Sequence, residues 1–134
     1  MRIHIGLAMA VIVALSAAYA FSPRATPPLA ATRLPVDRMA FTTLARAGST
    51  WVAGGELGHI VWSADDGKTW TEAAVEPRRY AQITQIVFVD DKVGMAVGHE
   101  GQILRSDDGG KRWKELAFDK ERGEPLMSIA RLPS

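Results

Sequence analysis

The sequence predicts an all-β fold: two four-stranded antiparallel blades with a period of 43 residues, followed by the first strand of a third. Three observations predict it. First, Ser63-Ala64-Asp65-Asp66-Gly67-Lys68-Thr69-Trp70 returns as Ser106-Asp107-Asp108-Gly109-Gly110-Lys111-Arg112-Trp113, and nine of the eighteen positions from 53 to 70 are identical 43 residues later. Second, short apolar runs flank each copy and end at Gly and Asp residues, which is the pattern of hairpins. Third, a period in the low forties with about four short strands per unit is that of propeller blades. The expected architecture is therefore an incomplete β-propeller.

The chain opens on an export signal. Arg2 and His4 give a short polar start, residues 5–18 are almost wholly apolar, and Ala18-Tyr19-Ala20 fits the small-x-small rule for cleavage after Ala20. That apolar run is short for a bilayer span of about 20 residues, which favours a cleaved signal over a retained anchor. Residues 21–40 form a leader with Pro23, Pro27, Pro28 and Pro35 among Ala, Thr and Arg, and are expected to be extended.

The body, residues 41–134, then divides by its turn residues. Blade one spans 41–75, with strands at 41–46, 50–53, 59–63 and 69–75. Blade two spans 81–118, with strands at 82–89, 94–97, 102–106 and 112–118. After a charged loop, Leu126-Met127-Ser128-Ile129 matches Ile83-Thr84-Gln85-Ile86 at the same offset, so residues 126–132 are expected to begin a third blade. Radial closure takes four to eight blades. Three arrangements meet that requirement or avoid it: a part of a longer propeller, which is preferred, several copies completing one ring, or a small open sandwich.

Each residue type in the repeated motif has a place in a tight turn. An aspartate at the start accepts hydrogen bonds from the amides that a reversing chain leaves unpaired. Gly67 and Gly110 take the positive φ that a Cβ penalises. Trp70 and Trp113 can fold their rings over the loop. With Ser63, Asp65 and Thr69 in one copy and Ser106 and Asp108 in the other, the motif is structural, because a carboxylate held by its own turn amides is unavailable as an acid or base.

These residues resemble the Asp box, or BNR repeat, of sialidases and related β-propellers. The fuller pattern Ile86-x-Phe88-x-Asp90, Gly94-x-Ala96-Val97-Gly98-x-x-Gly101-x-Ile103-Leu104-Arg105-Ser106-x-Asp108-Gly109-Gly110-Lys111-x-Trp113 is most similar to the photosystem II stability/assembly factor-like propellers. The resemblance covers roughly residues 41–131. It implies a non-enzymatic scaffold that holds a protein client, in a membrane-associated complex, on an arginine-bearing face. Arg78, Arg79, Tyr80, Arg105 and Trp62 are the candidate contact residues. In this reading the protein works in the periplasm or on the extracytoplasmic face of the membrane.

The rival reading is a carbohydrate-active Asp-box protein, either a sialidase remnant or a two-blade lectin that oligomerises. Sialidase chemistry needs an arginine cluster, a tyrosine nucleophile with a glutamate, and an aspartic acid drawn from several blades. After Ala20 the only tyrosine is Tyr80, and two blades cannot assemble that site. No catalytic residue, cofactor or metal is expected. His59 and His99 fall at different repeat positions and have no ligand spacing, and there is no cysteine. Calcium-loop spacing is also missing. Residues 41–134 carry 12 basic against 14 acidic groups, so nucleic acid is not an expected partner. Self-association to complete a propeller is a possible arrangement.

Overall fold

The structure is a computed structural model that describes residues 2–22 and 35–130. It forms two compact units, one at the N-terminus and one from Leu34 onward. The N-terminal unit is a single helix, α1 (Arg2–Ala20), made of good helix formers with no charged residue after Arg2. Its window Ile3–Ala20 has a mean hydropathy of 2.0. That is long and apolar enough to cross a membrane, where residues 5–18 alone read as too short, because the helix extends the run at both ends; signal sequences share the property. Pro23, Pro27 and Pro28 lie outside the described residues. Pro35 precedes a 3-10 turn, Val36–Arg38, where the sequence suggested only extended chain.

The second unit is two blades of an all-β propeller. In blade one, β1 (Phe41–Ala47), β2 (Thr50–Gly55), β3 (Ile60–Ser63) and β4 (Thr71–Glu72) pair antiparallel in chain order. In blade two, β6 (Ile83–Phe88), β7 (Gly94–Gly98), β8 (Ile103–Ser106) and β9 (Arg112–Ala117) do the same. A further strand, β5 (Ala74–Glu76), lies beside β9 in parallel register, Val75 opposite Trp113.

That strand corrects the expected blade one. Residues 69–75 do not form one outer strand. Thr69 stays in the turn, β4 is two residues long, and the chain then leaves its own sheet for the edge of the next. The physical reason is the free edge of β9, whose backbone groups need a partner. The amide of Ala74 donates to the carbonyl of Lys111 at 3.0 Å, so the second sheet is mixed rather than antiparallel.

The core lies between the two sheets. Val52 and Ile60 from blade one meet Ile83, Ile86, Ala96, Leu104 and Trp113 from blade two, each 3% exposed or less. The alternation of β-structure decides which residues do this. Val52 pairs with Ala45 and Trp62, and this row faces blade two. Leu44, Ala53 and Val61 form the neighbouring row, on the opposite face. Trp62 therefore lies in the seam, with Lys111 Nζ 5.1 Å from its ring centre.

Side-chain hydrogen bonds lock the inner strands together. Thr42 Oγ1 donates to the carbonyl of Ile83, and Thr43 Oγ1 accepts from the amide of Ile86 at 3.0 Å. The same pair of bonds recurs one blade later, where Thr84 Oγ1 donates to the carbonyl of Leu126 and Gln85 Oε1 accepts from the amide of Ile129 at 2.7 Å. Residues 126–130 thus follow an inner-strand path on blade two, the Leu126 amide donating to the Gly98 carbonyl at 3.0 Å, but they form no strand. The rest of the expected strand, 131–132, lies outside the described residues.

Candidate functional site

The repeated turns come first, because the motif dominates the sequence. Ser63 Oγ donates to Asp65 Oδ1 at 2.7 Å and accepts from the amide of Gly67 at 2.9 Å. Asp65 in turn accepts from the Thr69 amide at 2.9 Å and the Thr69 hydroxyl at 2.6 Å. In the second copy Ser106 Oγ donates to Asp108 Oδ1 at 3.0 Å and accepts from Gly110, while Asp108 accepts from the amides of Lys111 and Arg112. Each indole closes its loop: Trp70 Nε1 donates to the Gly67 carbonyl at 3.0 Å, and Trp113 Nε1 to the Gly110 carbonyl at 2.9 Å. Gly67 and Gly110 have φ of +83° and +88°.

These bonds set the acidity of the aspartates. The Thr69 hydroxyl, the Thr69 amide and the Ser63 hydroxyl lower the Asp65 carboxyl to about 2. For Asp108, burial pushes upward, but hydrogen bonds from Arg112, Ser106 and Lys111 outweigh it and the net shift is downward. Both groups are ionised, bound acceptors at neutral pH. That chemistry holds a turn and does not deliver a proton. Among the described residues, no group of three His, Cys, Asp or Glu side chains could hold a metal ion.

The candidate contact residues are not gathered in one place. Trp62 is in the seam between blades. Arg105 lies on the far face of blade two, bonded to Asp107 at 2.6 Å, and this pairing lowers the Asp107 carboxyl. Only Arg78, Arg79 and Tyr80 share a surface, the connector from blade one to blade two. There Arg78 pairs with Glu72 at 2.8 Å and bonds His59, whose Nδ1 is 3.0 Å from the same Glu72 oxygen. Arg79 forms a two-pronged pair with Glu115, at 2.9 and 3.0 Å, and its guanidinium lies 4.8 Å from the Phe118 ring centre.

Two exposed apolar side chains accompany these pairs. Tyr80 is 66% exposed, with Arg78 5.6 Å from its ring centre, and Leu57 in the 3-10 turn Glu56–Gly58 is 57% exposed. The turn abuts the connector, since a Cβ at Gly58 would stand 3.2 Å from the Ala81 carbonyl and 3.5 Å from the Tyr80 amide. Leu57 and Tyr80 both have positive φ, 53° and 60°, which is uncommon away from glycine. Two large exposed side chains thus stand at the turn and the connector, one of them beside an arginine that already has a carboxylate partner. Leu57, Glu72 and Glu115 carried no signal in the sequence, because the residues they complete are 13 to 36 positions apart or belong to a turn. The repeat did offer one hint, since Leu57 stands where the second copy has Glu100, which also has positive φ.

A second feature is a groove of about 440 Å³ on the open face of blade one, lined by Val36, Phe41, Leu44, Ala53, Val61 and Trp70 among others.

A family model described as Photosynthesis system II assembly factor YCF48 matches residues 28–107. Among solved structures, one described as "YCF48 bound to D1 peptide" aligns at 22% identity over 58% of this chain, with a TM-score of 0.49. The aligned part is 25% of that chain's length. No curated protein matches this sequence.

Proposed function

This chain belongs to the family of the Photosynthesis system II assembly factor YCF48, and we propose on that footing that it is an exported, non-enzymatic scaffold whose blade connector holds a protein client of a membrane-associated complex. The observation that carries the reading is the surface around Tyr80. An exposed tyrosine and leucine near two arginines that already have counter-ions suit protein contact, where aromatic and arginine side chains supply much of the binding energy. Because their charges are paired, Arg78 and Arg79 are neutralised platforms rather than free cations, which favours a mixed apolar and polar partner over a polyanion.

Absence of catalysis is part of the same reading. The aspartates of both repeated turns are taken up by hydrogen bonds, and the connector groups are locked into ion pairs. Export rests on the apolar helix α1 and the Ala18-Tyr19-Ala20 run, with removal after Ala20 leaving the blades in the periplasm or on the extracytoplasmic face of the membrane.

The test is a photo-crosslinking residue placed at position 80 in the full chain in living cells. An adduct with a membrane-associated protein is expected, and it should be lost when Leu57→Asp is added. The same crosslinker at exposed Leu116 serves as the control. Absence of any adduct at position 80, or equal labelling from position 116, refutes the client surface. A reporter that is active only outside the cytoplasm, fused after residue 22, should be active, and inactivity refutes export.

A further inference from the structure

The two arginines of the connector end on equivalent residues of the two blades. Arg78 reaches Glu72 on β4 and Arg79 reaches Glu115 on β9, and these glutamates stand 43 residues apart in the repeat. Their anchorages differ. Arg79 grips both oxygens of Glu115 through Nε and Nη2, at 2.9 and 3.0 Å. Arg78 reaches Glu72 through Nη1, at 2.8 Å, and turns Nη2 to the ring of His59. Where blade one has His59, blade two has the neutral Gln102, 1% exposed. Only the anchorage of Arg78 thus includes a side chain of the type that gains charge in mild acid.

The partners of His59 fix where its proton sits. Nδ1 lies 3.0 Å from Glu72 Oε1, a carboxylate oxygen that accepts, so Nδ1 carries the hydrogen of the neutral ring. Nε2 is then the acceptor, and Arg78 Nη2 stands 3.1 Å from it. Nη2 also touches Nδ1, so the guanidinium lies close against the ring. A second proton goes to Nε2, removes that acceptor and sets an imidazolium against a guanidinium. With the imidazole 14% exposed, little water screens the two cations. Arg78 has no other bond to fall back on at that end, since its Nε is buried without a hydrogen-bond partner. Glu72 Oε1 would be shared between both cations. Glu56, in the adjoining 3-10 turn, directs its carboxylate to the amide of Ala40 at 3.1 Å, and on the outer side of Arg78 the Tyr80 ring centre is 5.6 Å away.

We infer that protonation of His59 releases Arg78 from the edge of blade one while Arg79 stays on Glu115. Mild acid then converts the connector from a surface of paired arginines into one that presents a free guanidinium beside Tyr80. The release is a property of this cluster and requires no partner. Its use, a stronger hold on a partner segment that offers a carboxylate, rests on the client reading of the same surface.

Two measurements separate the release from its use. Full-length protein in detergent micelles, labelled at arginine, histidine and tyrosine, is titrated by NMR from about pH 8 to about pH 5. The nuclear Overhauser contact between the His59 ring and the Arg78 side chain, present at the upper end, should be lost at the lower end. The Tyr80 ring signals should move with the same inflection as His59, and the Arg79 signals should hold still. His59→Gln, which gives blade one the residue that blade two already buries at this position, should abolish the Tyr80 inflection. The inference is overturned if the His59–Arg78 contact survives after the ring has taken up its proton, if the ring stays neutral throughout, or if the Tyr80 inflection persists in His59→Gln. In cells, the crosslinker at position 80 should give about threefold more adduct at about pH 5.5 than at about pH 7.5, the worth of one exposed charge pair, with no such change in His59→Gln. Equal adduct at both pH values overturns the use of the release. No adduct at either pH refutes the client surface instead, and the release measured in micelles is unaffected.

Discussion

Replacing Trp113 by alanine removes a ring that is 1% exposed, meets Phe88 edge-on at a centroid distance of 6.1 Å and closes the second turn through its indole N–H. A buried tryptophan removes about 200 Å² from water, worth about 5 kcal/mol at 25 cal/mol per Å². Trp→Ala changes in cores cost about 3–5 kcal/mol. Trp70 makes the same hydrogen bond in the same motif, but it borders an open groove instead of a neighbouring blade. Its loss should cost about 1–2 kcal/mol, of which about 1 is the hydrogen bond that both rings share. The difference, about 2–3 kcal/mol, isolates the contribution of blade-to-blade packing. It is measured by urea unfolding of Trp113→Ala and Trp70→Ala, followed by circular dichroism at low protein concentration. With an m value of about 1–2 kcal/mol/M for a unit of this size, the two midpoints should differ by at least about 1 M. Equal midpoints would mean that the rings act only through their turns, and the account of the core would fall.

Two further outcomes follow from the turns. Gly110→Ala should destabilise more than Gly67→Ala by at least about 1 kcal/mol in the same assay. Both place Ala at positive φ, but a Cβ at Gly110 would stand 2.6 Å from Val52 Cγ2, whereas at Gly67 the nearest atom is 3.6 Å away. Equal losses would show that the second turn is not wedged into the core. Thermal melting against pH probes Asp65, whose carboxyl lies at about 2 when folded against 3.8 in its ordinary state. Its stabilising effect is therefore complete above about pH 4 and is lost as the pH falls toward 2. Asp65→Asn should flatten that part of the profile, and an unchanged acid limb would refute the bonding assigned to the carboxylate.

The repeated motif made the turns legible from residues alone, because every bond in them is local. Ser63 to Asp65, Asp65 to Thr69 and Gly67 to Trp70 join residues two to four apart. The strands between Gly and Asp stops could be placed within a residue or two for the same reason. The outer strand of blade one could not. Val75 leaves its sheet because β9 presents a free edge, and that edge exists only after blade two has folded alongside. The proposed client surface was half visible: Arg78-Arg79-Tyr80 stood out in the chain, but Leu57, Glu72 and Glu115 reach that connector only through folding.

Sequence by itself determined the period, the hairpins that carry it, the braced aspartates and the apolar helix at the start, all of which depend on neighbours along the chain. Tertiary structure alone decided which tryptophan is core and which borders a groove, and which arginine meets a counter-ion. Trp70 and Trp113 occupy the same motif and differ, among the described residues, in whether a blade stands in front of them. Burial depends on neighbours across space, and a repeat that is symmetric in sequence becomes asymmetric as soon as one of its faces is covered and the other is not.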